Sequence, residues 1–150
     1  MEAEYLFQAK DEFKRADHLM YVSLKYTRTV DVLKSLIERL INAYDFAILA
    51  ALEHNKVKDV SKIARLRADL LLQQYPEDEH LHNYVKLYYL LRDISKASFD
   101  RTLEYRRHVH MTAHLANHEI EVSIDIIEDY YNRTKEFLEY IDNLLNPKQQ

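Results

Sequence analysis

Apolar residues recur along most of this chain at the three- and four-residue spacing that lays a single stripe down an α-helix. Leu6, Ala9, Phe13, Ala16, Met20 and Leu24 predict a first helix over about Glu4 to Tyr26. Its other side, with Lys10, Asp11, Lys14, Arg15 and Asp17, is an ordinary solvated face. The link Thr27-Arg28-Thr29 is so short that the next helix must lie antiparallel beside the first. Thr29 is placed to cap that helix, and Asp31 in its first turn complements the helix dipole. The second helix, Val30 to about His54, carries one apolar row at Leu33, Ile37, Leu40, Tyr44, Ala47 and Ala51 and another at Leu36, Ile41, Ile48 and Leu52. Being apolar on more than one side, it needs a central position or cover from a second subunit. Asn55 is the residue expected to take the left-handed conformation at its C-terminus.

Ser61 opens a third helix to about Gln74, with Ile63, Leu66, Leu70 and Leu71 inward, and Pro76 forces a break near Tyr75. The fourth begins among Glu77, Asp78 and Glu79 and reaches about Ala97, burying Leu81, Tyr84, Tyr88, Leu91 and Ile94, with Tyr89 and Phe99 extending the stripe. Ser123 caps a last helix, Ile124 to about Leu145, on Ile124, Ile127, Tyr131, Thr134, Leu138, Ile141 and Leu145. Pro147 and a polar tail follow it.

Between the fourth and last helices the rhythm changes. Val109, Met111, Ala113 and Leu115 alternate with His108, His110, Thr112 and His114, the period of two that puts apolar and polar side chains on opposite faces of a strand. Asn117 supplies a turn, and Glu119-Ile120-Glu121-Val122 resumes the alternation. The chain therefore reads as one mainly α domain over residues 1–150, an antiparallel bundle of about five helices with one short β-hairpin at about residues 105–122. That hairpin is expected to carry Arg106, Arg107, His108, His110 and His114 on a rigid tongue.

Composition narrows the chemistry. The chain has no cysteine, which excludes disulfides, thiolate nucleophiles and Cys-based metal sites. It has no glycine, which excludes the P-loop, the GxGxxG dinucleotide turn and the GxSxG elbow. Scarcity of both, with abundant Lys, Glu and Tyr, suits a heat-adapted organism. The longest apolar run, Phe46 to Leu52, is far short of the roughly 20 residues that span a bilayer, and no secretory signal is visible, so a cytoplasmic protein is expected. A net charge of −4 argues against a surface that attracts nucleic acid everywhere. Charge is uneven, however: Lys56, Lys58, Lys62, Arg65 and Arg67 crowd residues 55–69, while residues 119–142 hold eight acids against Arg133 and Lys135.

Two places could contact phosphate. On a third helix that included Lys58, Lys62 and Arg65, their spacing would put them on one side, an electrostatic footprint for RNA or an acidic partner, or else simply a lysine-rich solvated face. On the tongue, Arg106 and Arg107 beside the histidines make a positive centre that strengthens as imidazoles protonate below about pH 6.5, with Tyr105 available to stack on a base. The same cluster could instead pair with the acidic last helix. Read helically, His110, His114 and His118 would be spaced as HxxxH metal pairs are; read as a strand, His108, His110 and His114 share a face. Neither arrangement brings the carboxylate of an HExxH site, so neither a metal nor a cofactor is expected.

Arg107-His108 followed by His114 resembles the Arg–polar–x4–6–His signature of the HEPN superfamily, small dimerising helical bundles that often cleave RNA or partner a nucleotidyltransferase. The segments Ala16 to Ser23 and Thr134 to Ile141 are also similar to that architecture, although Leu115 and Ala116 stand where some members carry a tyrosine. The resemblance implies that Arg107 and His114 would activate the RNA 2′-hydroxyl and stabilise the scissile phosphate across a dimer interface. The N-terminal helical pair also resembles small archaeal helical proteins of uncharacterised function.

Three expectations follow. The first is a non-catalytic homodimer, formed through apolar surface on the second helix, that engages RNA or an RNA-associated assembly such as a ribosomal subunit through its basic, histidine-bearing edge. The second is a metal-independent ribonuclease of HEPN type. The third is a structural dimer whose partner is another protein.

Overall fold

A computed structural model of the chain describes residues 1–147 and is mainly α-helical, with one three-stranded antiparallel sheet. Helix α1 comprises Glu2–His18, a π-helical turn Leu19–Ser23 and a last α turn Leu24–Tyr26. Helix α2 is Val30–His54, α3 is Ala64–Gln74, α4 is Glu79–Lys96 and α5 is Ile124–Leu145. Strands β1 (Ser98–Thr102), β2 (His110–His114) and β3 (Glu119–Ser123) lie between α4 and α5.

Helix α2 takes the central position. Thirteen of its residues, from Val30 to Leu52, are buried. It packs against α1, α3, α4, α5 and β2, so both its apolar rows are covered within one chain. The apolar surface expected to recruit a second subunit along this helix is therefore used internally. Helix α5 runs antiparallel to α1, as the Lys10–Asp142 ion pair at 2.9 Å and the bond from Tyr131 to Asp17 show. Phe137, which lies beside the predicted stripe of α5, is fully buried and stacks on Tyr44 with ring centroids 4.4 Å apart.

Tyrosine hydroxyls pin the helices to one another. Tyr88 donates to Asp45, Tyr131 to Asp17, Tyr89 to Asp69 and Tyr140 to Asp78. Burial, reinforced by the neighbouring aspartate, pushes the Tyr140 hydroxyl up to about 12, and the same two causes raise the other three. These hydroxyls stay protonated and act as donors.

The sheet differs from the expected hairpin by one strand. β1 pairs with β2 from Ser98 opposite His114 to Thr102 opposite His110. β2 pairs with β3 from His110 opposite Ser123 to His114 opposite Glu119. The apolar face packs inward, with Met111, Ala113 and Val122 buried. Phe99 therefore belongs to this sheet rather than to the stripe of α4; Lys34 and Arg101 lie over its ring, at 4.8 and 5.2 Å from the centroid. β1 has one apolar residue, Phe99, and so displays no alternation, which is why it was not legible.

Two helix ends also differ from expectation. Helix α3 begins at Ala64, because Ser61 spends its hydroxyl on the Ile63 N–H at 3.0 Å in a turn before the helix. Ile63 and Leu66, expected inward, are 60% and 49% exposed, and Ala68 and Leu71 are the buried positions. At the end of α2, Asn55 has φ −82° and the left-handed residue is the next one, Lys56, at φ 56°. Val57 N–H donates to the Leu52 carbonyl at 3.1 Å and Lys56 N–H to that of Glu53 at 3.0 Å, the paired bonds of a Schellman motif. A Cβ in this conformation costs about 1 kcal/mol relative to glycine. Lys56→Gly is accordingly expected to stabilise the protein by about 1 kcal/mol, raising Tm by roughly 2–4 °C in calorimetry for a domain of this size.

Candidate functional site

The outward face of the sheet is built by the period-two pattern of β2. His110, Thr112 and His114 point away from the core, while Met111 and Ala113 are buried. Register then decides what the histidines meet. His114 Nε2 lies 2.8 Å from Asp100 on β1 and Nδ1 lies 3.0 Å from Glu119 on β3, so one imidazole bridges all three strands. Asp100, then Glu119, hold its pKa above the ordinary 6.5. His110 Nε2 is 3.1 Å from Glu121, and its Nδ1 is 3.0 Å from the His108 carbonyl. This face is thus a lattice of histidines and carboxylates rather than part of a positive edge. The sequence did not reveal it, because Asp100 sits on the unrecognised strand.

The basic residues lie elsewhere, in the loop joining β1 to β2. Tyr105, Arg106, Arg107 and His108 fall in that loop, outside any strand, and all four are exposed. The loop is clamped onto the link between α1 and α2. Tyr105 N–H donates to the Arg28 carbonyl at 2.6 Å, and the Glu104 carboxylate accepts the Val30 N–H at 3.1 Å, satisfying a donor at the start of α2. Arg101 adds ion pairs to Asp31 at 2.9 Å and Glu104 at 3.4 Å. Leu103 and Tyr105 both have positive φ, 54° and 64°, at a cost of about 1–2 kcal/mol each in side chains that carry a Cβ. Such strain persists only where surrounding contacts impose it, and it concentrates at functional sites. Val109, fully buried, returns the chain to the core.

Beside this loop opens a cleft of about 530 Å³ lined by Arg28, Arg107, His108, His110, Glu121, Ser123, Ile124 and Asp125. The N-terminus of α5 forms its floor, where Ser123 Oγ accepts the Ile126 N–H at 3.2 Å and the helix dipole is positive. Glu121 is held by His110, and Arg28, Arg107 and Asp125 line the same cleft.

The arginines divide sharply. Arg15, Arg39, Arg65, Arg92, Arg101 and Arg133 each pair with a carboxylate of the chain. Arg67 donates to the Ser61 and Lys62 carbonyls. Among the described residues Arg28, Arg106 and Arg107 make no ion pair. Arg28 lies in the link, and Arg106 and Arg107 in the loop that crosses it. Arg28, which looks like a mere spacer in the sequence, belongs to the site because its carbonyl holds Tyr105.

The second basic cluster does not assemble. Lys58 and Lys62 lie in the irregular segment before α3, so helical spacing does not apply to them. Arg65 pairs with Asp93 at 2.7 Å and lies 5.0 Å over the Tyr89 ring, tying α3 to α4. Nor are Arg107 and His114 together. Arg107 lies in the loop before β2 and His114 at the far end of that strand, whose own length is roughly 13 Å at the usual rise, and the two line separate clefts. Within one chain they do not reach a common phosphate. Among the described residues no three His, Asp or Glu side chains are grouped to hold a metal ion, and no helix is long and apolar enough to cross a membrane.

Comparison with known proteins finds no match, whether among family models, curated proteins or solved structures. The chemistry of the site therefore carries the functional reading. His114 supplies a test of the sheet face. Its protonated form is favoured in the folded chain, so its stabilising bridge is complete below about pH 6.5 and is lost as pH rises through its higher folded midpoint. NMR titration should place the His114 midpoint above 6.5, and Asp100→Asn should bring it down; a midpoint unmoved by that substitution would contradict the bridge.

Proposed function

We propose that this chain is a non-catalytic interaction protein that engages RNA, free or in an assembly such as a ribosomal subunit, through the corner where the β1–β2 loop crosses the α1–α2 link. One observation carries this reading: the arginines whose side chains make neither an ion pair nor a hydrogen bond among the described residues, Arg28, Arg106 and Arg107, all belong to this corner, and two of them line its open cleft. A guanidinium left free at the surface is well suited to phosphate, which it can grip with two parallel N–H···O bonds. The rest of the surface supports localisation of binding to this corner. A net charge of −4 and the carboxylates of the sheet face repel a polyanion elsewhere.

The strained backbone fits the same role. Leu103 and Tyr105 are held in unfavourable conformations by Glu104, Arg101 and the Arg28 carbonyl. The effect is to pre-organise Arg106 and Arg107 before any ligand arrives, which lowers the entropic cost of binding.

The test is fluorescence anisotropy with a labelled RNA at about 50 and 200 mM salt. Affinity should fall steeply between the two, because phosphate contacts release counterions. The double substitution Arg106→Ala/Arg107→Ala should weaken binding and flatten the slope of log K against log salt by roughly 1.4, about 0.7 for each phosphate of a single strand that an arginine no longer neutralises. Absence of binding at the lower salt would overturn the proposal.

A further inference from the structure

We propose that the nucleic acid recognised at this corner is single-stranded, with unpaired bases laid on Tyr26 and Tyr105; this deepens the RNA reading above and rests on it. The argument begins with how the chain uses its tyrosines. Tyr88, Tyr89, Tyr131 and Tyr140 each spend the hydroxyl on an aspartate and the ring on a neighbouring helix. Tyr26 and Tyr105 do neither. They are 78% and 77% exposed, and among the described residues neither hydroxyl has a hydrogen-bond partner.

These two rings are tied to the free arginines by the backbone itself. Tyr26 precedes Arg28 by two residues; the Arg28 carbonyl holds the Tyr105 N–H at 2.6 Å; Arg106 and Arg107 follow directly. Two exposed tyrosines and three free arginines therefore all lie within two residues of one backbone contact. That is the arrangement by which proteins hold unpaired strands, the rings stacking on base faces and the cations tracking phosphates. A duplex hides its base faces in its own stack, so exposed tyrosines gain nothing from it. The positive φ of Tyr105 sharpens the point, because the chain keeps a bulky side chain in a costly conformation that places its ring in water. Leu103, 43% exposed in the same loop, widens the apolar surface beside the ring.

A labelled, unstructured 12-nucleotide RNA and the same strand annealed to its complement serve as probes for the full chain by anisotropy. The single strand is expected to bind at least tenfold more tightly. Tyr105→Ala and Tyr26→Ala are each expected to lower single-strand affinity about 5- to 150-fold and leave duplex affinity unchanged, while Tyr105→Phe retains binding. Both rings are exposed, so an unchanged melting temperature checks that the alanine variants remain folded. Equal or tighter duplex binding, or a Tyr105→Ala effect that is the same for both probes, overturns this inference while leaving the phosphate-binding role intact. Failure of both probes to bind overturns both.

Discussion

The central constraint on this molecule is that α2 cannot face water. Thirteen of its residues are buried, from Val30 at one end to Leu52 near the other, and they cover more of the helix than one neighbour can shield. Each buried aliphatic side chain is worth roughly 1.5–3 kcal/mol relative to exposure, so leaving even one side of α2 open would consume the net stability of a typical domain. α1, α3, α4, α5 and the sheet are arranged as they are because together they enclose this one element.

Enclosing a helix also means finishing its ends. The N–H groups at the start of α2 have no partners within the helix, and burial of Val30 keeps water from replacing them fully. Thr29 Oγ1 accepts from Val32 at 3.3 Å, and Glu104, distant in sequence, accepts from Val30. Because that carboxylate must come from the β1–β2 loop, the loop is drawn against the α1–α2 link, and Arg28, Arg106 and Arg107 arrive at one corner as a result. A requirement of the fold thus creates the geometry of the site. The same loop closes without glycine, and the strain of Leu103 and Tyr105 is balanced by the ion pairs of Arg101 and the bond to Arg28.

Polar side chains are assigned to separate tasks across the surface. Tyrosine–aspartate pairs join α1 to α5, α2 to α4 and α3 to α4. Histidine–carboxylate pairs stitch the sheet, with His114 bridging Asp100 and Glu119. Among the described arginines, those with neither an ion pair nor a side-chain hydrogen bond are Arg28, Arg106 and Arg107, all at the corner. In a chain of net negative charge, the contrast between committed and free arginines is more informative than their number.

Periodicity alone determined much of this architecture. The stripes of α1, α2, α4 and α5, the Thr29 and Ser123 caps, and the alternation of β2 and β3 were readable, because each is a local pattern whose burial follows from backbone geometry. Tyr105, Arg106 and Arg107 were also singled out from sequence as a basic and aromatic cluster. Tertiary structure decided which charges stayed free. Arg65 looked available until α4 brought Asp93 to it, His114 looked open to a ligand until β1 and β3 supplied two carboxylates, and Arg28 looked like a linker until Tyr105 bonded to its carbonyl. The reason is physical: a helical or extended stripe is set by neighbours three or two residues away, whereas the partner of a charged side chain here lies up to 132 residues away and is chosen only when the elements pack.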